Sequence, residues 1–150
     1  MRVLVDTSVW SEALRRRMKT ESDVVREFRS LILEHRVDII GPIRQEVLSG
    51  LRESVQFEKL ETHLAAFPDV AVHTPDYVMA AQFFNTCRAQ GVQGSNTDFL
   101  ICSVAVRRQC AIYTTDKDFP LFAKHIPIVL HEIRGFEQDK SSVRGKPRRR

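Results

Sequence analysis

Short apolar runs alternate with longer segments of helical period along this chain. Val3–Val5 is apolar on both strand faces, as an interior parallel strand requires. A helix is predicted over 8–16. "TESDVVREFRSLILEHR" puts Val24, Phe28, Leu31 and Ile32 on one helical face, with charges opposite. "VDII" (37–40) predicts a second strand, stopped by Gly41-Pro42. Proline suits a first helical turn, so "PIRQEVLSG" predicts a helix, followed by another over 55–67. "VAV" (70–72) predicts a third strand. "TPDYVMAAQFFNTCRAQ" predicts a helix capped by Thr74, with Tyr77, Ala81 and Phe84 as its buried stripe. "NTDFLICSVAVRRQ" is the most apolar helix, with Ile101, Val104 and Ala105 inward. "CAIYTT" (110–115) and "IPIVLHE" (126–132) predict the fourth and fifth strands, and "DKDFPLFAKH" a short helix between them.

Strands alternating with helices imply crossover connections and a parallel sheet covered on both faces. The predicted class is α/β, with a central parallel sheet of about five strands. No internal repeat is visible. The 150 residues suffice for one domain with a real core. Charge divides the chain unevenly. "KSSVRGKPRRR" (140–150) holds six of the 23 basic residues and no acid, leaving 17 basic against 19 acidic residues before it. The expected organisation is a folded domain over 1–136 and a basic, disordered tail over 137–150. No apolar run approaches the ~20 residues of a membrane span. Cys87, Cys102 and Cys110 are odd in number and lack a C-x-x-C pair, which argues against a disulfide framework or zinc knuckle and for the reducing cytoplasm.

Acids recur where strands end and helices begin. Asp6 closes the first apolar run and Asp116 the fourth. Glu46 lies in the helix after the second strand, and Asp98 at the start of the apolar helix. Each one alone suits a helix cap or the positive end of a helix dipole. Together they can meet at the carboxyl edge of a parallel sheet, where open α/β folds place their sites. Clustered carboxylates repel unless a cation lies among them, and an all-oxygen set suits Mg²⁺ or Mn²⁺. Such ions activate water and support displacement at phosphorus. Ser8, Thr97, Thr114 and Thr115 stand beside these acids and can orient a carboxylate or a bound water; turn and cap roles suit them equally. Asp118, two residues past Asp116, is expected to cap the following helix.

The ordered set "VDTS", "RQEVLSG", "TDFLICSVA" and "IYTTDKDF" resembles the motif order of PIN-domain ribonucleases, and the length resembles the VapC-type toxins of toxin–antitoxin pairs. The resemblance covers about residues 1–130. It implies a PIN-like three-layer sandwich and a metal-dependent endoribonuclease acting on structured RNA of the tRNA or rRNA class. It also implies homodimers and neutralisation by a small antitoxin protein. Carried over by motif, the catalytic quartet is Asp6, Glu46, Asp98 and Asp116. Asp6, Asp98 and Asp116 would hold Mg²⁺, or alternatively Mn²⁺, supported by Ser8, Thr97, Thr114 and Asp118. Large side chains around Trp10 and along "YVMAAQFFNTC" suit either a face covered by a second copy or a partner, or the core itself.

Two other readings compete. A phosphatase with an aspartyl nucleophile would want a second acid at D-x-D spacing, where this chain has Ser8. A non-catalytic RNA-binding or partner-binding module would be favoured by the loss of one acid, and all four are present.

Overall fold

The computed structural model describes residues 1–14 and 21–135. Strand β1 (Val3–Val5) is fully buried and central. It pairs in parallel with β2 (Val37–Asp38) through Val3↔Val37 and Leu4↔Asp38. On its other side it pairs in parallel with β3 (Ala111–Tyr113) through Val3↔Ala111, Leu4↔Ile112 and Val5↔Tyr113. The sheet order is β2-β1-β3.

The expected five strands reduce to three among the described residues. The segments predicted as strands three and five make single parallel bridges, Ile39↔Asp69 and Ile112↔Leu130. Both lie at the flanks, outside β2 and β3. "VAV" forms no strand because only Asp69 and the Val70 amide reach Ile39 before the chain leaves for the next helix. At the other flank, Ile112 donates to Val129 and accepts from His131, both at 2.8 Å.

Helices α1 (Thr7–Leu14) and α2 (Asp23–Leu33) connect β1 to β2. Helices α3 (Gly41–Ser49) and α4 (Ser54–Leu64) follow, then α5 (Thr74–Ala89), α6 (Asn96–Arg108) and, after β3, α7 (Asp118–Phe122). Helix α1 packs on α2 and α3, α5 packs on α6, and α6 packs on β1 and β3. The Ser22 side chain caps α2 by accepting from the Val25 amide, and Pro42 occupies the first turn of α3. The part of the first helix expected beyond Leu14 lies outside the described residues, as does the tail expected over 137–150.

Two sequence expectations about packing are corrected. Trp10 is core: its ring meets Phe28 and Phe67 edge-on at 4.7 and 5.3 Å, and its indole N–H donates to the Val5 carbonyl. The inward face of α5 is Asp76, Ala80, Phe83 and Cys87, one residue round from the predicted stripe. The cause is an acid. Asp76 is drawn inward by Arg107 at 2.8 Å and accepts from the His73 amide, so His73 and not Thr74 stands at the cap. Tyr77 is consequently 55% exposed, and Ala81 is exposed too.

Candidate active site

Strands β2 and β3 leave β1 on opposite sides, so the order of connections reverses between β1 and β3. The crevice outside the carboxyl ends of such a pair is the place for a ligand. Asp6 follows β1 there, and its amide donates to the Tyr113 carbonyl at 2.9 Å, which locks the two strand ends together. Its own carbonyl opens α1 by accepting from Val9.

A hydroxyl network fixes the Asp6 carboxylate. Its Oδ2 accepts from Ser8 Oγ at 2.9 Å and from Thr114 Oγ1 at 2.8 Å. Thr114 Oγ1 also accepts from the Asp116 amide at 3.0 Å, and Ser8 Oγ from the Thr115 amide at 3.1 Å. Two hydroxyls therefore tie the β1 end to the β3 end. Glu46 reaches the same edge from α3: its Oε2 accepts from Thr7 Oγ1 at 2.7 Å. For Thr7, the middle residue of "DTS", the sequence offers no signal beyond its position beside Asp6.

Asp98 combines both roles that its position allowed. It forms a capping box with Ser95, accepting from the Ser95 amide at 3.0 Å while its own amide donates to Ser95 Oγ at 3.1 Å. Burial pushes its carboxyl pKa up, partly offset by the Ser95 bonds, and the charges of Asp116 and Asp6 raise it further. Asp6 is raised in the same way: burial dominates, Thr114 and Ser8 lower it, and Asp116 adds to the rise. Asp6, Asp98 and Asp116 thus feel one another electrostatically.

The charge balance distinguishes this edge from the rest of the molecule. Among the described residues three acids are buried: Asp6 (6% exposed), Glu27 (4%) and Asp76 (3%). Glu27 is paired with Arg134 and His131, and Asp76 with Arg107. Among the described residues Asp6 meets only uncharged donors, and none of Asp6, Glu46, Asp98 and Asp116 is in an ion pair with Lys, Arg or His. A buried carboxylate beside two more acids and no cation is costly, and a bound cation relieves it. Among the described residues no three His, Cys, Asp or Glu side chains converge tightly enough to cage an ion unaided. The donors still fit a hard cation that keeps several waters, as Mg²⁺ does.

Two supporting assignments change. Thr97 lines a groove of about 420 Å³ between α5 and α6 with Tyr77, Phe84 and Asn96, a groove that none of the four acids lines. Asp118 is not the cap of α7. It is the first residue of that helix, and its amide donates to Asp116 Oδ1 at 2.9 Å. Asp116 is therefore the capping acceptor, because the turn tightens one step earlier than the sequence suggested. Asp118→Ala should change stability by less than about 0.5 kcal/mol, measured by denaturant unfolding.

Residues 3–125 match the PIN domain family model. The chain is 32% identical over 126 residues to the VapC ribonuclease Mb1587 of Mycobacterium bovis, covering 81% of this chain and 92% of that protein. The same identity and coverage hold for ribonuclease VapC11 of Mycobacterium tuberculosis. Among solved structures, FitAcB from Neisseria gonorrhoeae superposes with a TM-score of 0.69 at 24% identity, covering 86% of this chain and 96% of its own. VapBC2 from Rickettsia felis, bound to a DNA fragment from its promoter, gives 0.68 at 16% identity, covering 87% and 98%. At these identities the superpositions speak for the fold.

Proposed function

Given that this chain belongs to the PIN domain family, and within it to the VapC ribonucleases, we propose that it is the endoribonuclease toxin of a toxin–antitoxin pair. The observation that carries this reading is Asp6: a buried carboxylate at the sheet's switch point, neighboured by Asp98 and Asp116, with no cationic partner among the described residues. Asp6, Asp98 and Asp116 would hold Mg²⁺, or Mn²⁺, in part through water. When bound, the ion lowers the pKa of a water and offsets charge on a phosphodiester.

The chain's own residues do the positioning. Ser8 and Thr114 hold the Asp6 carboxylate by donating to its Oδ2. Thr114 at the same time fixes the Asp116 backbone. Glu46, held by Thr7, stands exposed at the edge and can accept a proton from an incoming water. The substrate class is structured RNA, of the tRNA or rRNA kind, and the compartment is the cytoplasm. The segments bridged at Asp69 and Leu130 complete a five-stranded, three-layer sandwich in this reading. A small antitoxin protein is the neutralising partner. Tyr77 and Val78, exposed on α5, support a homodimer face.

The test is cleavage of total RNA by the purified chain. Excess chelator should abolish it and restored Mg²⁺ should recover it; cleavage unaffected by chelator would exclude the metal site. Thr114 supplies a sharper check. Thr114→Val keeps shape but removes the hydroxyl that joins Asp6 to Asp116, and should lower cleavage ~10–100-fold. Thr114→Ser should restore most of it. Cleavage by Asp118→Asn should stay close to that of the native chain.

A further inference from the structure

The three clustered acids come from three elements. Asp6 ends β1, Asp98 stands in the first turn of α6, and Asp116 lies in the turn between β3 and α7. Ser8 and Thr114 tie Asp6 to the end of β3 and to the Asp116 backbone. Asp98 shares no such tie among the described residues. Its carboxylate accepts from the Ser95 amide, inside its own capping box.

Packing fixes the start of α6 against the Asp116 turn instead. Phe99, next to Asp98, meets Phe122 of α7 at 4.7 Å between ring centroids, and Phe122 meets Phe119 edge-on at 5.3 Å. All three rings are fully buried. Helix α7 is bound in turn to Asp116: the Asp118 amide donates to its Oδ1 at 2.9 Å, and the Phe119 amide to its carbonyl at 3.3 Å.

Gly94, in the loop before α6, closes the other side of these rings. A β-carbon there would lie 2.5 Å from Phe122 Cζ, 3.0 Å from Phe99 Cε2 and 3.1 Å from Phe122 Cε1. Close-packed buried rings have little space into which to retreat. The other glycine of the loop differs. Gly91 has a φ of 75°, which favours glycine, and nothing lies within 4 Å of a β-carbon built on it. Gly94 is outside the positive-φ set, so space alone excludes a side chain. A β-carbon at Gly94 has two ways out. It can push Phe122, and with it α7 and the Asp116 turn. Or it can withdraw the loop, and with it the Ser95 amide that holds Asp98. Either moves Asp98 relative to Asp116.

We infer, given a cation site at Asp6, Asp98 and Asp116, that Gly94 is its positioning residue: the close contact of Gly94 with Phe122 sets Asp98 against Asp116.

Mn²⁺ binding tests this without RNA or cleavage. Free Mn²⁺ is counted by electron paramagnetic resonance, well below the thermal midpoint of every chain, with folding checked by circular dichroism. Gly94→Ala should bind Mn²⁺ about tenfold more weakly than the native chain. Leu at 122 lacks the Cζ and Cε1 atoms that the new β-carbon would meet. Adding Gly94→Ala to Phe122→Leu should therefore cost less than about a further twofold. Gly91→Ala strains a left-handed residue of the same loop and should lower the thermal midpoint, yet keep Mn²⁺ affinity within about twofold of native. Native affinity in Gly94→Ala, an equal loss in both Phe122 backgrounds, or a comparable loss in Gly91→Ala would each overturn the inference. If Gly94→Ala does not fold, Phe122→Leu carries the test: without the ring contact it should bind at least about threefold more weakly, and native affinity would overturn the inference. No Mn²⁺ binding by the native chain is a distinct result, which would remove the cation site itself and the role with it.

Discussion

Asp6→Asn should reduce RNA cleavage at least ~100-fold, about 3 kcal/mol on the barrier, while the protein becomes more stable in metal-free buffer. The two effects share one cause. Burial and the Asp116 charge raise the Asp6 pKa above its ordinary 3.8, against the pull of Thr114 and Ser8. A carboxylate raised on folding gives stability that is fully present below its unfolded pKa and lost as pH rises through the folded value. At neutral pH its ionised form therefore opposes folding. Asn keeps an oxygen for the Ser8 and Thr114 hydroxyls and removes the charge. The thermal midpoint of the variant should exceed the native one at pH 7 and converge on it below pH 3.8. A lower midpoint at pH 7 would mean that the ionised carboxylate holds the fold together, contrary to this account. Full activity in the variant would remove Asp6 from the metal site.

Arg134→Ala should have the larger effect on stability. It leaves Glu27 buried with no cation but His131 beside it, only the amide of residue 134 still donating, and breaking a buried pair in this way costs about 3 kcal/mol. For a chain of this size that lowers the midpoint by roughly 10 °C. The pH dependence runs opposite to that of Asp6. Burial pushes the Glu27 pKa up, but the bonds from Arg134 and His131 outweigh it and bring it below the ordinary 4.5. That stability is present above pH 4.5 and lost as pH falls through the folded value. The gap between native and variant should therefore narrow in acid. A double variant, Glu27→Leu with Arg134→Leu, should regain much of the loss, because no charge is left stranded. Equal losses in the single and double variants would show that packing, and not the charge pair, holds the C-terminal segment.

Periodicity and strand ends make the candidate edge readable. Val3–Val5 is buried on both faces, and an acid that directly ends such a run has few other reasons to be there. The order of the motifs then carried Glu46, Asp98 and Asp116 to the same edge. What failed depends on pairings that a linear reading cannot weigh. The inward face of α5 was displaced by one residue because Asp76 is neutralised by Arg107, thirty-one positions away. In sequence Asp118 has the position of a cap, just before a helix, yet Asp116 takes that bond through a turn that only the folded backbone defines. "VAV" has strand composition but too short a stretch of partner beside it. The Glu27–Arg134 pair is invisible for the same reason as Asp76: Glu27 reads as an outward-facing charge until Arg134 returns to meet it.

The central claim is that Asp6, Asp98 and Asp116 form a cation site whose repulsion the bound ion relieves. The most direct measurement is the thermal midpoint of the metal-free chain titrated with Mg²⁺ at pH 7, beside Asp6→Asn under the same conditions. Binding to the folded state alone stabilises by about 2.7 kcal/mol at a hundredfold excess over Kd. The native midpoint should rise by several degrees and saturate, while that of Asp6→Asn starts higher and barely moves. An equal rise in both chains, or none in the native one, would contradict the claim.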